Sequence, residues 1–175
     1  MRRLIGTFAA AVVFAGAGTV SADVPSVFPS TYDGPQVLAL TATAYVGGYS
    51  RTISRRIRDD GSIVIDSASA LHFEPAYPGG FSSAATEQTG RRTLRFTFDA
   101  ASLQIMTDYY KQQFIDAGLV RTTDDFRLTF GPGRLEFRNG VTKLRGSEKV
   151  RVVVRRGARL LARGGGRLTW RGTLR

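Results

Sequence analysis

The chain has 175 residues and no cysteine, which excludes disulfides, a thiolate nucleophile and thiolate–zinc chemistry. It carries 25 basic and 14 acidic side chains, and the excess sits at one end: residues 127–175 hold fourteen basic and two acidic (+12), residues 23–126 nine and twelve (−3). This asymmetry points to an anionic partner, although only three of the basic residues are Lys, a bias that a GC-rich genome also produces.

The first 22 residues, MRRLIGTFAAAVVFAGAGTVSA, combine two arginines, an uncharged run of about 17 residues and a small-residue ending at Ala22. This is the layout of a cleaved secretory signal peptide; a retained anchor is the alternative, but the run is short for a span. No Cys follows, so a lipid-anchored lipoprotein is excluded. The chain is expected to be exported, periplasmic or secreted, with 1–22 removed, 23–35 an extended Pro- and Ser-rich leader, and 36–175 a single domain.

From Gln36 to Val46 the Thr- and Val-rich pattern predicts a strand, broken by Gly47-Gly48. Residues 50–58 read as a polar strand, Asp60-Gly61 as a hairpin turn, and 62–66 as the returning strand, with another at 71–74. Residues 75–90 lack periodicity and read as a long loop, whose Tyr77 and Phe81 could flank a pocket. A strand follows at 91–98 with Leu94, Phe96 and Phe98 facing in. Asp99 then reads as an N-cap, and Leu103, Met106, Tyr110, Phe114 and Ala117 form one apolar face of a helix over about 100–117, ended by Gly118.

Beyond the helix the period becomes two. Pro132-Gly133 reads as a type II turn pairing Phe130 with Leu135, and Asn139-Gly140 as a two-residue hairpin pairing Leu135 with Leu144 and Glu136 with Lys143. In the last segment, Arg151, Arg155, Arg159, Arg163, Arg167, Arg171 and Arg175 recur at intervals of four, opposed in phase to Val150, Val152, Val154, Leu160, Leu168, Trp170 and Leu174. In strands, equal parity means one face. Parity survives hairpins only through odd loops, so three-residue loops are expected at 156–158 and 164–166, setting Arg155 against Arg159 and Arg163 against Arg167. Such a row is either a solvated face or a site where guanidinium groups grip an anion.

The expected fold is α+β: a curved, mainly antiparallel meander sheet, half-barrel-like, packed on the one long helix, with a closed barrel enclosing a lipid as the alternative. The expected function is a non-enzymatic binding or assembly module of the bacterial cell envelope. Arg151, Arg155, Arg159, Arg163, Arg167 and Arg171 are its anion-binding candidates, for lipid, lipopolysaccharide, acidic polysaccharide or protein. A second reading is a carrier of an apolar ligand between sheet and helix, using Tyr77, Phe81, Tyr109, Tyr110, Phe114 and Trp170. A third, a hydrolase built on the single histidine, His72, and Glu74 two residues on, lacks any nucleophile motif. A single His cannot build the usual zinc site, so no metal or cofactor is expected, and export argues against nucleic acid.

Overall fold

The computed structural model describes residues 30–67, 70–75 and 82–175, with the side chains of 66–75 and 82–83 outside that description. The signal-peptide segment, Tyr77 and Phe81 therefore lie outside the described residues. Nine strands and one helix follow in the order β1 (Ser30–Val46), β2 (Tyr49–Ser67), β3 (Ala70–Pro75), β4 (Ser82–Gly90), β5 (Thr93–Phe98), α1 (Ala100–Asp116), β6 (Asp125–Phe130), β7 (Gly133–Arg138), β8 (Lys143–Arg156) and β9 (Arg159–Leu174), counted among the described residues.

The fold is a mainly antiparallel sheet with one helix. Strands are hydrogen-bonded in the order β6-β8-β7-β5-β4-β3-β2-β1-β9, and β9 pairs with β8 as well as β1. One face carries the core. Leu38, Ile65, Leu94, Phe96, Leu135, Phe137, Val150 and Leu168 are almost fully buried on it, joined by Met106, Tyr110 and Phe114 of α1. Aromatic rings tie the layers together: Phe96 lies 5.3 Å from Trp170, and Phe114 of the helix 5.3 Å from Phe126 of β6.

Local chemistry explains the helix ends. The Asp99 side chain accepts from the Ser102 backbone N–H at 2.6 Å, filling one of the helix's free donors. At the other end the Gly118 N–H donates to Ile115 and the Leu119 N–H to Phe114, with Gly118 at φ +68, a Schellman ending that glycine adopts without strain.

Several expected turns are not turns. Asp60-Gly61 lies inside β2, paired with Pro35 and Gly34 of β1. A ladder running from Ser30–Ile65 to Val46–Tyr49 outweighs the local turn propensity of two residues. For the same reason β1 begins at Ser30 rather than Gln36. Part of the expected 75–90 loop is strand β4, paired with β3 and β5. Gly131-Pro132-Gly133 makes no hairpin, and Phe130 pairs with Val150 instead of Leu135. β6 and β7 lie end to end along one edge of β8, and the Gly131 N–H donates to Lys149 across the break. Pro132 offers no ladder donor, so the strand is interrupted there rather than reversed.

The Asn139-Gly140 turn does connect β7 to β8, but over four residues. Arg138 pairs with Lys143, Phe137 with Leu144, Glu136 with Arg145 and Leu135 with Gly146. The register differs from expectation by two residues, so apolar still meets apolar.

Candidate functional site

The β8–β9 hairpin decides where the arginines go. Its turn is the two-residue Gly157-Ala158, with Gly157 at φ +55, not a three-residue loop. An even turn keeps Arg156 opposite Arg159 on the inner face and puts Arg155 opposite Leu160 on the outer one. A bulge then changes the register, and Val154 pairs with Ala162. Beyond it the odd positions of β9 point outward as expected. The Gly164-Gly165-Gly166 run is no turn either; it lies mid-strand, paired with β1 on one edge and β8 on the other. The row is therefore divided: Arg151, Arg155, Arg163, Arg167 and Arg171 lie on the outer face, and Arg159 on the inner one. Arg163 faces Val153, not Arg167, across the ladder.

Register builds a compact cationic group on the outer face. Arg145 lies directly opposite Arg171, and Lys149 opposite Arg167. Between these two like-charged pairs Ser147 lies opposite Thr169, and Arg134 of β7 is the other neighbour of Ser147. Arg134, Arg145, Arg167 and Arg171 thus surround two hydroxyls in a depression of about 360 Å3, bounded also by Glu136, and Lys149 lines the adjoining hollow with Arg134, Ser147 and Arg167. Glu136 is itself bound to Arg138 at 3.1 Å. Like charges opposed across strands, with side chains about 5 Å apart, destabilise a sheet unless something lies between them. Of this group the regular interval in the sequence marks only Arg167 and Arg171. Arg134, Arg145 and Lys149 belong to other strands and become visible only through the β7–β8–β9 register.

The apolar candidates separate. Tyr110 and Trp170 are core residues, 1% and 3% exposed, and the Trp170 indole N–H donates to Gln36 at 3.1 Å. The Tyr109 hydroxyl donates to Asp59 of β2 at 2.6 Å. Phe114 lines a cavity at the end of the sheet beyond the helix C-terminus. His72 and Glu74 both lie in β3, opposite Val64 and Ser62. Among the described residues no three His, Cys, Asp or Glu side chains are grouped to hold a metal ion.

At the rim of that end cavity Asp124, with 2% of its side chain exposed, accepts both Nε of Arg156 at 2.7 Å and its Nη2 at 3.1 Å. It also accepts the Arg121 backbone N–H at 2.9 Å. The Arg156 hydrogen bonds, outweighing burial and aided by the backbone bond at Arg121, hold its carboxyl below the usual carboxylate range. A depressed pKa contributes stability above the unfolded value that disappears as pH falls through the folded one. Asp124→Asn should therefore lose about 2 kcal/mol at pH 7, with the deficit vanishing at low pH, as read by urea unfolding at several pH values.

No protein-family model matches the chain, and no curated protein matches it either.

Proposed function

We propose that this is an exported, non-enzymatic module of the bacterial cell envelope that binds an anionic partner through the outer face of its antiparallel sheet. The observation that carries this reading is the grouping of Arg134, Arg145, Lys149, Arg167 and Arg171 around Ser147 and Thr169. An anion seated there relieves two opposed like-charge pairs at once. Guanidinium groups hold phosphate or carboxylate through two parallel hydrogen bonds, and the hydroxyls add neutral donors.

The test is co-sedimentation with phosphatidylglycerol vesicles, with phosphatidylcholine vesicles as the uncharged comparison. Binding to the anionic vesicles is expected at low salt and should weaken steeply as the Debye length shrinks from about 30 to 8 Å. The R145Q/R167Q/R171Q variant should fold normally and lose that binding by tenfold or more. Equal binding by the variant, or no preference for the anionic vesicles, would overturn this reading.

A further inference from the structure

The end of the sheet beyond α1 carries a second, separate group of cations. The helix stops at Gly118, and the chain leaves through Leu119 and Val120. Beside that exit is a cavity of about 370 Å3 walled by Leu40, Ala42, Ile53, Phe126, Val152 and Val154. Its volume falls in the range of small-molecule sites, roughly 300–1,000 Å3, and such sites are mostly apolar with a few placed polar groups.

The placed groups are arginines on the inner face. Arg51 pairs with Ala44 and Arg55 with Leu40, so both share the face of Ile53 and Ile57, where a strand beside a core ordinarily carries apolar residues. Arg159 reaches the same face through the even turn before it. All three line the cavity, and none has a carboxylate partner among the described residues. The acid at this rim, Asp124, is already occupied by Arg156.

The cavity's surroundings are apolar where the rest of the surface is not. Of the five exposed large apolar side chains among the described residues, Tyr45, Val46 and Leu119 line this cavity. A fourth, Tyr49, pairs with Val46 at the tip of the β1–β2 hairpin, and only Leu174 lies elsewhere. Tyrosine suits a boundary between apolar material and water.

We propose that this end of the molecule binds a single-chain amphiphile with an anionic head, the chain in the cavity and the head on Arg51, Arg55 and Arg159. The site shares no residue with the outer-face group and does not depend on it.

Calorimetric titration of the intact protein with decanoate, decanol and decyltrimethylammonium tests this. Decanoate should bind tightest and the cation weakest. Octanoate, decanoate and dodecanoate should gain up to about fourfold per added methylene until the cavity is filled. The R51Q/R55Q/R159Q variant should lose tenfold or more in decanoate affinity and keep its decanol affinity. Ala162→Phe, which fills the cavity, should abolish both while circular dichroism shows an intact sheet. The R145Q/R167Q/R171Q variant should bind decanoate like the parent. The proposal is overturned if the parent takes up no decanoate, if decyltrimethylammonium binds as well, if chain length has no effect, or if the outer-face variant rather than the inner-face one loses decanoate.

Discussion

Replacing Glu148 with Gln is expected to stabilise the protein by on the order of 3 kcal/mol at pH 7 and to change little at pH 4. Glu148 lies on the inner face of β8, opposite Leu168, and is 3% exposed. Neither carboxyl oxygen has a hydrogen-bond partner among the described residues. Burial alone pushes its pKa up to about 9 from an ordinary value of 4.5. The folded protein thus keeps a proton that the unfolded chain releases. A raised pKa of this kind gives a contribution fully present below pH 4.5 and lost progressively as pH rises toward 9. At about 1.4 kcal/mol per pH unit, most of the expected difference has accumulated by pH 7. Gln keeps the shape and polarity of the protonated acid and does not titrate. Urea unfolding of both proteins at pH 4, 7 and 8.5 should give curves that converge at acid pH and separate above it. Parallel curves would mean that Glu148 is held by a partner in solution.

Gly166→Ala should cost about 3 kcal/mol and lower Tm by roughly 10 °C. A Cβ at Gly166 would stand 1.8 Å from the Ala39 carbonyl oxygen and 2.9 Å from the Leu40 Cα. These are backbone atoms of the paired strand and cannot rotate away as a side chain can. Gly164 meets β1 in the same manner, 2.2 Å from the Thr41 carbonyl. Glycine inside a strand commonly marks such a close approach. Gly90→Ala is the comparison, with its nearest neighbour 3.7 Å away, and should move stability by no more than about 0.5 kcal/mol. Thermal unfolding of the two variants separates the steric cause from a general dislike of alanine in strands.

The glycine triplet also marks where sequence reading reached its limit. Three glycines in a row signal a turn by composition, yet here they let β9 run between two partners. Nothing local distinguishes those cases, because the atoms that forbid a Cβ at Gly164 and Gly166 belong to residues more than 120 positions earlier. The helix was legible because its signals are local: an Asp cap, an apolar face at 3.6 spacing and a terminal glycine. Strand parity was legible too, and Leu94, Phe96, Phe98, Val150, Val152, Val154, Leu168 and Trp170 are buried on the predicted phase. Pairing was not. Whether Phe130 meets Leu135 or Val150 depends on β8, which contributes no information to residues 130–135 alone. The cationic group on the outer face depends on that same long-range register. Arg159 lies inward because the turn before it has two residues rather than three, and the bulge beyond it returns the later arginines of β9 to the outer face.

The pairing of β1 with β9 has a consequence for how the molecule forms. Tyr32 lies opposite Leu174, and the Arg175 N–H closes onto the Thr31 carbonyl at 2.9 Å. The first strand thus waits for the last. Contacts so distant along the chain slow folding, because the entropy of a long loop must be lost before they form. Until the final sixteen-residue strand is present, β1 and β8 each offer a bare edge to any neighbouring chain. Because β9 covers both of these edges, anything that delays this one strand leaves the sheet open on two sides at once.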